Sequence, residues 1–160
     1  NFKVIGEAGH VYGYGKSVWA MIDLDTRQPA DILAVRGGLI TEYIETEYSC
    51  PIEKSSRVKM SADATPVRSI DTYYNDVDIN GHINSVKYIE HMLDLWDVAW
   101  YKQHRIKRFE IAYVAESHQG DKLHFYREQR GTETDFNVRI TKSNVEREET
   151  EVCRCRVQFV

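Results

Sequence analysis

Residues 71–100 read DTYYNDVDINGHINSVKYIEHMLDLWDVAW, and this stretch decides the fold. It begins as an alternating segment, passes the turn signal Asn80-Gly81 and continues as an amphipathic run. The large apolar residues of that run recur at spacings of three and four, at Ile83, Val86, Ile89, Leu93, Trp96 and Trp100. Because this spacing puts them on one helix face, the stretch predicts a strand, a polar turn and one long helix with one buried side.

Short strands surround that helix in the sequence. Runs rich in strand-forming residues, several of them alternating, are separated by turn signals at Gly120-Asp121, Gly131 and Ser143-Asn144. The predicted strands are 67–74 before the helix and 108–115, 122–127, 135–141 and 149–160 after it. One helix followed by strands with short connections predicts an α+β fold, in which an antiparallel sheet wraps around one long helix.

The residues before position 67 carry weaker signals. Residues 2–6 and 17–24 predict two strands of an antiparallel hairpin, connected through the glycine-rich stretch 10–15. Residues 30–45 predict two short helical pieces, because Gly37-Gly38 interrupts them. Residues 49–62 are polar and have no clear period, so we interpret them as a linker.

The composition limits the classes of function. The 160-residue chain is 42% hydrophobic and 29% charged, which is typical of a soluble globular protein. Its mean hydropathy is −0.53, and no apolar run is long enough for a membrane span. With 21 Lys and Arg against 25 Asp and Glu, the net charge of −4 argues against general nucleic-acid binding. The three cysteines, an odd number, favour a reducing, cytoplasmic setting.

One stretch resembles a calcium loop. Residues 76–81 match the EF-hand opening D-x-[DN]-x-[DN]-G, but the twelfth loop position is Lys87, where calcium requires a bidentate glutamate. The motifs H-E-x-x-H, paired C-x-x-C, G-x-S-x-G and the P-loop are missing from the sequence. We therefore expect no metal and no cofactor.

Four polar residues remain as candidates for chemistry. In an extended approach to the helix, Asp78, Asn80 and His82 point to one side, beside helix-start amides that favour developing negative charge. Glu116 follows a predicted strand and could serve as general base for a water molecule, if that strand lies beside the helix. This arrangement suits attack on a carbonyl group. Taken alone, each of these residues is better explained as a helix cap, a turn residue or a solvated side chain.

Three separated segments resemble one known family. Residues 78–89, DINGHINSVKYI, resemble the D-x-N-x-H-x-N-N-x-K-Y-I signature of the acyl-acyl carrier protein thioesterases, with Ser85 replacing the second Asn. Residues 113–117, YVAES, are similar to the family's Y-R-R-E-C segment, and Ser117 stands where plant members have Cys. Residues 17–29 are similar to the family's S-x-W-x-x-x-D…T-R-x-P stretch. On these segments the chain is identified as a member of the family.

The resemblance implies two tandem hotdog folds. Residues 1–48 would be the C-terminal part of a first hotdog domain whose beginning is missing here, 49–62 the linker, and 63–160 a second, catalytic hotdog domain. It also implies an activity in fatty acid biosynthesis. The family cleaves the thioester between a fatty acyl chain and the phosphopantetheine arm of acyl carrier protein (ACP).

The same resemblance assigns roles to the four candidates. Glu116 would activate water as a base, although a nucleophilic Glu116 stays open, and His82 would orient it and carry the proton. Asn80, together with amides at the helix start, would hold the thioester oxygen, and Asp78 would fix the other side chains. Ser117 argues against a thiol nucleophile, since an unassisted hydroxyl is a weak nucleophile at neutral pH.

The implied partner is an acidic carrier protein, and the chain has one local basic cluster. The cluster follows the predicted helix and consists of Lys102, Arg105, Lys107 and Arg108. It could dock the carrier, or it could complement the negative end of the helix. A hotdog hydrolase of acyl-coenzyme A and a non-catalytic acyl-binding module are the rival interpretations. A homodimer also stays open.

Overall fold

The computed structural model describes residues 1–26, 28–144 and 149–160. By its internal contacts the chain divides into two units, Asn1–Lys54 and Ser55–Val160. The strands are β1 Phe2–Ile5, β2 Val11–Gly15, β3 Arg68–Asp71, β4 Ile106–Tyr113, β5 Lys122–Gln129, β6 Asp135–Ser143 and β7 Thr150–Phe159. The α-helices are α1 Ser85–Leu93 and α2 Val98–Gln103, and 3-10 helices cover Ile32–Tyr43 and Tyr74–Asp76.

The larger unit is built on a five-stranded sheet. Its strand order is β3-β5-β6-β7-β4, and every neighbouring pair is antiparallel. Since successive side chains of a strand point to opposite faces, every second residue faces α1. Tyr88 and Met92 of α1 are buried in one core cluster with these inward-facing residues. The fully buried large members are Leu123, Phe125, Val138, Ile140, Val152 and Val157. The predicted α+β class is confirmed.

The predicted long helix is divided into two. α1 ends at Leu93, and Asp97 starts α2 by accepting a hydrogen bond from the backbone N–H of Trp100 at 2.7 Å. The guanidinium of Arg127 donates to the carbonyl of Leu95 within the break. The apolar stripe nevertheless continues, because Trp96 packs edge-on against Phe136 of the sheet. An aspartate that the sequence places on the polar face thus acts as a second helix cap.

The outer face of the sheet is polar but largely covered. Asp135, Asn137 and Thr141 of β6 point away from the helices and are still buried. Residues 56–61, which we call the strap, run across this face and bond to three strands. The strap's hydrogen bonds join Ser56 N to Glu110 Oε2 (2.7 Å), Asn137 Nδ2 to Lys59 O (3.0 Å) and Ser61 N to Glu128 Oε2 (3.4 Å). The strap falls entirely within the predicted linker 49–62, so this part of the linker is bound to the sheet. The boundaries predicted for the two hotdog domains stay a prediction.

The smaller unit corrects one prediction and confirms another. β1 pairs with β2, Val11–Gly15, whereas segment 17–24 has a single bridge, between Ile22 and Pro29. The second strand predicted at 17–24 is therefore wrong, because the chain reverses earlier, at Gly9, whose φ of +78° suits a glycine turn. In the 3-10 helix Ile32–Tyr43, residues 35–38 leave helical geometry, as Gly37-Gly38 predicts. Arg27, part of the family-like segment 17–29, lies outside the described residues.

None of the helices in the described ranges has the length and apolar character that crossing a bilayer would require.

Candidate active site

The polar stretch before α1 folds as a closed turn. Val77 and Ile83 form an antiparallel bridge, and the N–H of Asp78 donates to the carbonyl of His82 at 2.8 Å. Gly81 has a φ of +81°, a conformation that glycine adopts without the strain of a side chain. The expectation of an extended run that aligns Asp78, Asn80 and His82 is therefore wrong, because the Asn-Gly pair reverses the chain between them.

The carboxylate of Asp78 stabilises this turn through hydrogen bonds to its backbone. Its Oδ1 accepts hydrogen bonds from the backbone N–H groups of Asn80 at 2.8 Å and of His82 at 3.3 Å. The carboxylate is therefore engaged with backbone amides. Asn80 lies at the tip of the turn and is exposed.

The structure brings His82 and Glu116 together. The Nε2 atom of His82 lies 3.4 Å from Oε2 of Glu116, with 27% and 50% of the two side chains exposed. The hydroxyl of Tyr113, at the end of β4, donates to the carbonyl of Ser85 at 3.1 Å and so joins this strand to the start of α1. The pair is thus in contact and open to solvent, as a water-activating pair must be.

Ser117 is a buried anchor beside Glu116. Its side chain is fully buried and hydrogen-bonded to the hydroxyl of Tyr88, and its carbonyl accepts from the N–H of Ile83 at 2.8 Å. Burial raises the pKa of Tyr88 to about 12, so this phenol stays protonated at neutral pH. With no exposed oxygen, Ser117 cannot act as a nucleophile on a substrate.

The cysteines of β7 are equally unsuited to nucleophilic chemistry. Cys153 and Cys155 are fully buried among the core residues. Burial raises the pKa of the Cys153 thiol to about 12 and that of Cys155 well above its usual value. Because the thiolate is the reactive form, both thiols are inert near neutral pH.

Sequence reasoning missed the residues that hold the segment after β4. Lys142 Nζ donates to the carbonyl of Glu116 at 2.6 Å and lies 3.5 Å from Oδ2 of Asp121. The same Oδ2 accepts from the N–H of His118 at 2.9 Å, and the His118 ring meets that of His82 edge-on at 5.0 Å. His118 and Asp121 lie near Glu116 in the sequence and could have been found there. Lys142 comes close to Glu116 only through the pairing of β6 in the sheet, which the sequence does not show.

A second missed pair supports the turn. The carboxylate of Asp76 is buried, accepts from the N–H of Tyr73 at 2.8 Å and lies 3.3 Å from Nε2 of His91. The carbonyl of Asp76 also accepts from the N–H of Asn84 at 2.7 Å. Only 22% of the His91 side chain is exposed. The pair therefore ties the turn to α1.

Two backbone N–H groups at the start of α1 already donate hydrogen bonds within the protein. Asn84 is the N-cap, and its Oδ1 accepts from the N–H of Val86 at 3.0 Å. The N–H of Lys87 donates to the carbonyl of Asn84 at 2.9 Å. The helix end still favours nearby negative charge, but these two N–H groups do not point freely at a ligand.

The basic cluster after α2 is divided by an ion pair. Arg108 is half-buried, and its Nε donates to Oε1 of Glu110 at 2.6 Å. Lys102, Arg105 and Lys107 are exposed. Three of the four predicted docking residues are therefore open to a partner. Within 1–26, 28–144 and 149–160, no group of three or more His, Cys, Asp or Glu residues is placed to hold a metal ion.

Comparison with known proteins gives concordant matches. A family model for the acyl-ACP thioesterase C-terminal domain matches residues 59–160. The crystal structure of an acyl-ACP thioesterase from Bacteroides thetaiotaomicron has a TM-score of 0.85 at 46% identity, covering 99% of this chain and 60% of that one. Curated protein sequences gave no match.

Two more distant structures agree in fold. The 12:0-ACP thioesterase from Umbellularia californica has a TM-score of 0.67 at 20% identity, over 87% of this chain and 52% of that one. A hexameric hotdog fold thioesterase of Campylobacter jejuni has a TM-score of 0.51 at 15% identity, over 59% and 80%. The antiparallel sheet and its helices are therefore a hotdog fold, as predicted. This chain spans 60% and 52% of the lengths of the two acyl-ACP thioesterases.

Proposed function

Because the chain belongs to the acyl-ACP thioesterase family, we propose that the protein hydrolyses the thioester between a fatty acyl chain and the phosphopantetheine arm of ACP. The observation that carries the proposal is the 3.4 Å approach of His82 Nε2 to Glu116 Oε2. A carboxylate in contact with an imidazole, both open to solvent, can take a proton from water and deliver it elsewhere. The reaction would occur in the cytoplasm, a setting consistent with free Cys50, Cys153 and Cys155.

In the proposed reaction, Glu116 acts as general base. Its carboxylate takes a proton from water while the water oxygen forms a bond to the thioester carbonyl carbon. His82 orients Glu116, accepts this proton from it and passes the proton to the departing sulfur when the C–S bond breaks. The products are a free fatty acid and the thiol of the carrier arm, so every proton and electron pair is accounted for.

The developing oxyanion needs a hydrogen-bond donor. Asn80 is exposed at the tip of the turn, and the NH₂ group of its carboxamide is the donor we assign to the oxyanion. The first-turn amides of Val86 and Lys87 are engaged by Asn84, so they contribute only the general field of the helix end. Asp78 positions Asn80 and His82 through their backbone amides.

Replacing the base gives a direct test. In Glu116→Gln, kcat on acyl-ACP is expected to fall by about 10²–10⁴-fold, because the amide cannot accept the proton. Binding of the acyl-ACP should change little. The matched control is Glu133→Gln, at an exposed turn between β5 and β6. Activity of Glu116→Gln within a few-fold of the original protein would rule out the proposed base.

The exposed cations Lys102, Arg105 and Lys107 are the proposed docking surface for the acidic carrier. In Arg105→Glu with Lys107→Glu, kcat/KM on acyl-ACP should fall by about tenfold at low salt and by less at high salt, because steering between opposite charges is screened. A short acyl thioester without carrier should react as before. Equal losses on both substrates would contradict docking. The control for the added charge is the double reversal Lys122→Glu with Arg130→Glu, at two exposed residues outside the cluster.

A further inference from the structure

A cavity of about 270 Å³ lies between the strap and the outer face of β6 and β7. Four of its lining residues are cations, Arg57, Lys59, Arg139 and Arg154, whereas Glu151 is the single acid among them. Its volume lies just below the usual range for ligand sites, about 300–1,000 Å³, so it suits a small ligand or one group of a larger ligand.

Two of these cations stand directly opposite each other in the sheet. Arg139 of β6 and Arg154 of β7 are cross-strand partners, and like charges in that position repel each other. The guanidinium of Arg139 also lies over the ring of Tyr126, at 4.4 Å. In the part of the chain that the structure describes, its buried Nε has no hydrogen-bond partner. Two like charges held opposite each other cost stability, and an anion bound between them would relieve that cost.

The acids nearby do not balance these charges. Glu151 is paired with Arg154. The Oε2 of Glu149 accepts hydrogen bonds from the hydroxyls of Tyr126 at 2.5 Å and of Thr141 at 3.0 Å. Even if both glutamates are counted against the four cations, the described residues leave an excess of positive charge around the cavity.

The strap holds two of the cations in place without using their side chains. The carbonyl of Lys59 is bound by Asn137 Nδ2, and the N–H of Ser56 is bound by Glu110. Among the described residues, the side chains of Arg57 and Lys59 make no ion pair. Hydrogen bonds therefore hold the backbone of the strap, while Arg57 and Lys59 line the cavity.

We propose that this cavity binds the phosphate group of a small ligand. Arginine side chains match the oxygens of a tetrahedral phosphate with paired N–H donors, and three of the four cations are arginines. The anion would separate the charges of Arg139 and Arg154. The phosphate could belong to a free small molecule or to a phosphopantetheine group, and only the second source rests on the proposed function.

Thermal unfolding with inorganic phosphate and with pyrophosphate tests the site. Against chloride at equal ionic strength, each anion at saturating concentration should raise the unfolding midpoint by about 4 °C or more, because it binds only the folded protein. The double variant Arg57→Gln with Lys59→Gln should lose this shift, and its sheet contacts stay unchanged. Arg130→Gln, outside the cavity, is the matched control and should keep the shift.

A second variant tests the charge repulsion. Arg154→Gln should unfold at a higher temperature than the original protein in phosphate-free buffer, and it should gain little from added phosphate. The proposal is overturned if phosphate shifts the original protein no more than chloride does, or if the cavity variants keep the full shift.

The source of the phosphate is decided by two further probes. Tighter binding of 4′-phosphopantetheine than of inorganic phosphate, with no binding of pantetheine to the site, assigns the cavity to a carrier arm. Equal affinity for phosphopantetheine and phosphate assigns it to a free phosphate ligand. Both results support the site, and neither measurement depends on thioesterase activity.

Discussion

The two halves of the candidate active site are held by different kinds of contact. The turn at 77–83 is closed by a bridge between Val77 and Ile83, so its geometry is local. The segment at 116–121, which carries Glu116, is fixed by distant partners: Tyr88, Lys142 and Thr72 lie 29, 26 and 46 positions from the residues they bind. The closure of the turn is therefore mainly local, although Ile83 also donates to the carbonyl of Ser117. Glu116, by contrast, reaches His82 only when the sheet and α1 are complete.

The largest effect is expected at the Tyr88–Ser117 contact, on the distant half. The pKa of Tyr88 is raised by burial from 10.0 to about 12. The folded state thus holds this proton more tightly than the unfolded state. The stability it contributes is fully present below pH 10 and is lost as the pH rises towards about 12. That loss amounts to at most about 3 kcal/mol.

In Tyr88→Phe, the free energy of unfolding should be lower at pH 8, because Ser117 loses a buried partner, but it should decline less between pH 10 and 12. Urea unfolding at stepped pH measures both quantities. Tyr48→Phe, at an exposed tyrosine, is the control. Parallel pH curves for Tyr88→Phe and the original protein would show that the phenol does not anchor this half.

An intermediate effect is expected in the local half. Gly81 has a φ of +81°, and Gly131, in the turn between β5 and β6, has a φ of +71°. A Cβ at either position meets no atom within 4 Å. Each glycine-to-alanine variant should therefore lose about 1–2 kcal/mol of stability from backbone strain alone.

The two variants should differ in activity. Gly81→Ala distorts the turn that carries Asn80 and His82, so its kcat should fall by about tenfold as the geometry loosens. Gly131→Ala should keep the original kcat. Equal kcat values, measured where both variants are fully folded, would break the assignment of catalysis to the turn.

The smallest change in stability is expected at Lys142. In Lys142→Met, the carbonyl of Glu116 loses a donor at 2.6 Å near the protein surface, which should cost less than about 1 kcal/mol. Its kcat should nevertheless fall, with little change in KM, because Glu116 is less well oriented towards His82. Lys122→Met, at a surface ion pair with Asp71, serves as control. An unchanged kcat would leave Lys142 without a positioning role.

The same contrast explains what the sequence could predict. The turn, the cap at Asn84 and the start of α1 follow from neighbouring residues, and the family-like segments point to the same place. The approach of Glu116 to His82 was predicted only on the condition that β4 lies beside α1. Lys142 and the Asp76–His91 pair were missed, because strand register and helix packing decide them.

Local signals also misled in two places. Gly9, Gly13 and Gly15 favoured a turn at 10–15. In the structure residues 11–15 form strand β2 instead, and the turn is made at Gly9. The spacing of apolar residues predicted a continuous helix to Trp100. The helix instead ends at Leu93, and Asp97 caps a second helix, which the spacing of apolar residues cannot indicate. The assignment of 1–48 to a first hotdog domain rests on the resemblance alone and stays a prediction.

The strap also has a consequence for the order of folding. Its hydrogen bonds join Ser56, Ser61 and Lys59 to residues 54, 67 and 78 positions later in the chain. During synthesis the strap leaves the ribosome before any strand of the five-stranded sheet. Its three hydrogen bonds to the sheet can all form only after β6 has been made. Contacts of such long sequence separation form late and slowly. The cavity beneath the strap should therefore be among the last features of this domain to form.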